Sequence, residues 1–186
     1  MVLNLPMLKS LQILRFIAAL SVVYYHITFK FGSFGVDIFF VLSGFVIALV
    51  ISNKQNPISF AISRISRIVP IYWLLTSLLL LIILLAPQLV HQSNIANASI
   101  LNYLRSLFFI PFHEGVNMMP LLNLGWTLNY EMFFYFLVWI SLIISRYSLM
   151  LVSILLIILY FTFEFVTESK LVSDFFGDDI ILEFVL

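Results

Sequence analysis

Five long stretches of this sequence run apolar with almost no charge: residues 11–29, 36–52, 69–86, 121–145 and 149–165. A helix needs about 20 predominantly apolar residues to cross the hydrocarbon core of a bilayer. Five stretches near that length, separated by short polar segments, leave few alternatives to membrane spans. Composition agrees. Of the 186 residues, 63% are hydrophobic and 10% charged, against about 45–50% and about a quarter in soluble domains. The expected fold is therefore all-α, a polytopic transmembrane helix bundle.

The segments between the spans carry most of the remaining information. Lys30 to Gly35 is a short glycine-containing turn, so the first two spans should form a hairpin. The segment NKQNPISFAISRISR carries Lys54, Arg64 and Arg67, with Pro57 marking a break. Its Phe60, Ile62, Ile65 and Ile68 can lie along a membrane surface before the third span begins. Residues 101–112 are apolar but too short to span, which predicts an interfacial or re-entrant piece. The chain ends within a new apolar run, IILEFVL, expected to be the start of a sixth span over 180–186; the sequence thus reads as truncated.

Basic residues near the span ends predict topology. With the N-terminus inside, Lys9, Arg15, Lys54, Arg64, Arg67 and Arg146 fall inside, and Lys30, Arg105 and Lys170 outside. The N-terminus is thus expected in the cytoplasm, with the protein in the cytoplasmic (inner) membrane. The first span lacks a small-residue cleavage site and reads as retained, not as a signal peptide. Balanced charge, nine basic and nine acidic residues, gives no reason to expect nucleic acid as a partner. The absence of cysteine excludes thiolate nucleophiles and thiolate metal sites. His91, and His113 beside Glu114, are too few and scattered to predict a metal site. Asn97-Ala98-Ser99 fits a glycosylation acceptor, a pattern common by chance.

Ionisable residues within spans are costly, and normally face a protein interior or cavity. Arg15 and His26 lie eleven residues apart in the first span. On a helix that is about 16 Å along the axis and about 20° from a common face. An arginine can hold phosphate in paired hydrogen bonds, and a histidine can take a hydroxyl proton near neutral pH. The plain structural alternative is that Arg15 snorkels inward while His26 caps the outer end. Asp37, at the mouth of the second span, either orients His26 or caps a helix. Glu131 sits inside GWTLNYEMFFYFLVW and demands a partner, with His26 or Arg105 the candidates. Trp126, Tyr130 and Tyr135 around it fit an interfacial aromatic belt. Ser43 and Gly44 suggest close helix packing. Arg64 and Arg67, three residues apart, share a helix face; they either grip a phosphate-bearing ligand or anchor to anionic lipid.

These pieces stand in an order that resembles the acyltransferase-3 family of membrane acyltransferases. LKSLQILRFIAALSVVYYH is similar to the family's opening, with Arg15 and His26 matching its arginine and histidine. GVDIFFVLSGFVI is similar to its next run. Phe60, Arg64, Arg67, Ile68, Pro70, Tyr72 and Trp73 match a third motif, and Trp126, Leu128, Glu131, Phe134 and Tyr135 a fourth. The wording is nearest the exopolysaccharide-production members. The resemblance implies an enzyme that moves an acyl group, usually acetyl, from cytoplasmic acyl-CoA to a carbohydrate hydroxyl of a cell-envelope or secreted glycan. It implies His26 as base, with Asp37 and Glu131 beside it, Arg15, Arg64 and Arg67 on the acyl-CoA donor, and Tyr72, Trp73 and Trp126 near substrate. Family members are longer and have more spans. The partners expected are membrane lipid and the carbohydrate acceptor, with a homo-oligomer possible. Two other readings stand: a transporter or flippase fragment whose polar residues line a path, and an inactive truncated product.

Overall fold

The computed structural model describes residues 5–28, 31–52, 56–96, 98–111, 119–144, 148–165 and 180–185. Lys30, Lys54, Arg146 and Lys170, with Asn97, His113 and Glu114, lie outside the described residues. Among the described residues all regular structure is helical: α1 (Leu5–Thr28), α2 (Phe34–Ser52), α3 (Pro57–Leu85), α4 (Gln92–Ala96), α5 (Ile100–Leu107), α6 (Gly125–Ile144), α7 (Ser148–Phe165) and α8 (Ile180–Glu183), with a 3-10 turn at Pro87–Leu89. Four of them, α1, α2, α3 and α6, are long and apolar enough to cross a membrane. α7 is an 18-residue helix whose described stretch from Met150 to Thr162 is apolar.

α1 and α2 pack as the expected hairpin, and two glycines allow it. Gly32 has φ 123°, a conformation that L side chains avoid, and a Cβ there would overlap the Ser21 carbonyl. A Cβ on Gly35 would lie 2.5 Å from the Ala18 carbonyl oxygen and 2.5 Å from the Ser21 hydroxyl. At Gly44 a side chain would overlap the Phe184 backbone, so this glycine seats α8 against α2. Ser43 beside it has a different task, described below.

α3 differs from the expected surface segment followed by a separate span. It is one helix of 29 residues, about 43 Å long and so longer than the roughly 30 Å hydrocarbon core. Asn56 caps it, its side chain accepting from the Ile58 amide at 2.9 Å, with Pro57 in the first turn. Pro70 lies inside the helix. It costs one backbone bond, and packing on both sides outweighs that: Phe60 and Ile68 before it, and Tyr72 and Thr76 after it, are buried. Of the four apolar residues expected along the membrane surface, Ile62 and Ile65 face outward, whereas Phe60 and Ile68 turn into the core.

α5 doubles back along α3. Ser77 pairs with the Tyr103 hydroxyl at 2.8 Å, Trp73 Nε1 donates to the Leu107 carbonyl at 2.8 Å, and Tyr72 stacks on Phe109 at 4.9 Å. Phe109 holds a left-handed backbone (φ 57°), rare for an aromatic residue. Buried Ser106 ties the return: its hydroxyl donates to Asn102 and accepts from the Leu121 amide. The chain then enters α6 at Gly125, against the Tyr72 side chain, halfway along α3. The core lies where α2, α3, α6, α7 and α8 meet, with Phe40, Ile47, Phe60, Phe134, Val138 and Phe184 at its centre. α1 contributes little to it. Ala18 is fully buried, whereas Phe16, Leu20, Val23 and Ile27 are about half exposed or more. Apolar side chains turned outward carry no penalty in lipid.

Candidate functional site

A cavity of about 590 Å³ opens between α1, α2, α3 and the start of α6. Its wall carries Arg15, His26, Asp37, Arg67, Trp126 and Glu131. Residues scattered over more than a hundred positions of sequence thus meet at one space, which borders the apolar core at Phe40.

Each helix delivers its residue for a local reason. α1 runs unbroken from Arg15 to His26, so the eleven-residue spacing does put both on one wall. The hairpin brings Gly35 against Ala18 and Val22. That register sets Asp37, in the first turn of α2, between the levels of Arg15 and His26. Arg67 comes from the part of α3 that precedes Pro70. Trp126 and Glu131 lie in the first two turns of α6.

The histidine is oriented by backbone. Its Nδ1 lies 2.8 Å from the Val22 carbonyl oxygen, one turn earlier. A carbonyl only accepts, so Nδ1 carries the hydrogen, and in the neutral ring Nε2 keeps the lone pair. Tyr25 meets the imidazole edge-on at 5.8 Å. The ring is exposed rather than packed, which leaves Nε2 accessible.

Glu131 has partners other than the His26 or Arg105 expected for it. The Tyr135 hydroxyl donates to Oε1, and Ser43 Oγ donates to the same oxygen at 3.4 Å. Tyr135 stands one helical turn away, at the i, i+4 spacing that brings side chains together. Reading Tyr135 as part of an aromatic belt hid this pairing, although the spacing was there. Tyr135 is 6% exposed and belongs to the core, not to the interface. Arg105 sits in α5, off the cavity wall.

The two arginines of α3 part company. Arg67 lines the cavity; Arg64 does not. The Arg64 guanidinium stands over the Phe60 ring at 5.5 Å and the Tyr135 ring at 5.7 Å. Arg15 and Arg67 share the cavity wall, so a cationic zone forms at the Arg15 end. A smaller cavity of about 250 Å³ shares Arg67 and Glu131 with the main one and is lined by Tyr72. Trp73 lies on neither wall and instead fastens α3 to α5. Among the described residues no three His, Asp or Glu side chains converge as metal ligands.

Fold and cavity together define a multi-pass membrane protein with a polar, charged chamber among its helices. The chain belongs to the acyltransferase-3 family: the family model, described as an acyltransferase domain, matches residues 8–181. The chain is 38% identical over 164 residues to the exopolysaccharide production protein ExoZ of Rhizobium meliloti, covering 84% of this chain and 49% of that protein. It is 33% identical over 156 residues to the putative peptidoglycan O-acetyltransferase YrhL of Bacillus subtilis, covering 75% of this chain and 24% of that protein. It therefore spans about half the length of the first relative and a quarter of the second. No solved structure matches it.

Proposed function

We propose that this protein transfers an acyl group, acetyl in the first instance, from cytoplasmic acyl-CoA to a hydroxyl of a cell-envelope or extracellular polysaccharide. The observation that carries this reading is the single cavity that joins Arg15 and Arg67 to His26. The two relatives, named for exopolysaccharide production and for putative peptidoglycan O-acetylation, support the same acceptor class.

The chemistry follows from the placement. Arg15 and Arg67 hold the donor phosphates at the cytoplasmic end, where bidentate guanidinium–phosphate contacts are strong. The donor's arm extends along α1 towards His26. Nε2 of His26 takes the proton from the acceptor hydroxyl as its oxygen attacks the thioester carbonyl carbon. The carbon–sulfur bond breaks, and the departing CoA thiolate recovers the proton. Asp37 and Glu131 sit beside this path, where a carboxylate stabilises the imidazolium as it forms. Trp126 lies on the wall of the same chamber, where its flat face suits a sugar or pantetheine, whereas Tyr72, at the edge of the neighbouring cavity, is buried with its ring stacked on Phe109 and shapes the wall. Membrane lipid surrounds the bundle.

Labelling tests the reading. Membranes that carry the protein, given acyl-CoA with a labelled acyl group, should pass label to glycan. A transport path for the same polar substrates would not do so. The split between the α3 arginines gives a sharper expectation. Arg67→Ala should raise the KM for acyl-CoA by about tenfold or more, tenfold being the worth of one charge-assisted hydrogen bond at the low end of about 1.5–3 kcal/mol. An unchanged KM would take Arg67 out of the donor site.

A further inference from the structure

We infer that Tyr135 is a positioning residue for Glu131, and that Arg64 acts on the transfer step through Tyr135 and not by holding the donor. This rests on the acyltransferase reading above. It assigns different tasks to two arginines that sequence alone treats as a pair.

Three contacts form a chain. Arg64 lies over the face of the Tyr135 ring at 5.7 Å. The Tyr135 hydroxyl donates to Glu131 Oε1. Ser43 Oγ donates to the same oxygen at 3.4 Å. A cation over a phenol ring is attracted to its π face and draws electron density from the hydroxyl, which strengthens the O–H as a donor. Both hydrogen bonds fall on Oε1. Glu131 is thereby fixed in rotamer, and its second oxygen keeps its lone pairs for the chamber. Without these donors the carboxylate would be free to turn, or would meet Arg15 or Arg67 and cancel the charge proposed to hold the donor.

The surroundings make the chain rigid. Tyr135 is buried, edge-on to Phe60 at 6.1 Å and tilted against Phe134 at 6.2 Å. Phe60 is fully buried and also carries the Arg64 guanidinium. α2 and α6 each donate one hydrogen bond to the carboxylate, and α3 backs the pair through the Tyr135 ring. Arg64 is therefore behind Glu131, while Arg67, one turn on, is in front of it on the wall.

The test is a double-mutant cycle on the protein in its membrane. Tyr135→Phe keeps the ring, its packing and the surface under Arg64, and removes only the hydroxyl. It should lower kcat by on the order of ten- to a hundredfold, the scale of a misplaced group near a reaction centre, and leave the KM for acyl-CoA unchanged. Arg64→Ala should lower kcat in the same way, and its effect should largely vanish when added to Tyr135→Phe, because coupled residues are not additive. Arg64→Lys, which keeps the charge, should recover part of the rate. Additive effects, or a raised KM with kcat intact in Arg64→Ala, would overturn the inference and return Arg64 to the donor site while the acyltransferase reading stands. No transfer by the unaltered protein would sink that reading and this inference together.

Discussion

Replacing His26 with alanine is expected to cut acyl transfer by about 10²–10⁴-fold, the usual contribution of a positioned general base. The size of the effect follows from what surrounds the ring. Nδ1 is committed to the Val22 carbonyl, so Nε2 is the atom left for chemistry. The side chain is exposed at the cavity wall and stands outside the apolar core, touching Tyr25 of its own helix. The variant should therefore reach the membrane at normal abundance and keep its affinity for acyl-CoA, which is assigned to Arg15 and Arg67. Turnover and expression measured on the same membranes separate the two possibilities. Full activity in His26→Ala would remove the base from the proposal. Reduced abundance with normal turnover per molecule would mean that His26 does no more than cap the C-terminal end of α1.

The second large effect concerns the hairpin that shapes the cavity. Gly35→Leu should destabilise the protein by about 4 kcal/mol or more, the range reserved for overpacking that cannot relax. A Cβ at this position lies 2.5 Å from the Ala18 carbonyl oxygen and 2.8 Å from Val22 Cγ2. The first is backbone and cannot move aside without moving α1. α1 is bound chiefly by α2, so relief comes by separating the two helices that carry Arg15, His26 and Asp37. Thermal aggregation or protease sensitivity of the solubilised protein reads this directly. Normal stability in Gly35→Leu would show that the close approach of α1 and α2 is not required.

Much of this was legible in the residues. Apolar length located the helices, because lipid allows few other structures. The spacing of Arg15 and His26 placed both on one wall through helix periodicity alone. Pro57, read as a break, marks the start of α3. What stayed hidden depended on contacts between distant segments. The polar run up to Arg67 suggested a surface segment before the third span, and only tertiary burial of Phe60 and Ile68 shows why one helix passes through both. Arg64 and Arg67 look equivalent in sequence; the aromatic rings of Phe60 and Tyr135 separate them. Glu131 announced that it needed a partner, and the i+4 tyrosine was within reach, but Ser43, 88 positions away, carries no local signal. Trp73 matches a family motif near substrate, yet its indole binds the Leu107 carbonyl. Motif membership does not distinguish a wall residue from the one that fastens the wall.

The central claim is acyl transfer to a glycan, and mass analysis of cell-envelope and secreted polysaccharides tests it most directly. Cells that carry the gene should yield glycans heavier by one or more ester-linked acyl groups, lost on mild alkaline treatment. Cells without it, and cells carrying His26→Ala, should lack those groups. Identical glycan masses with and without the gene, from cells in which the protein is present in the membrane, would contradict the account.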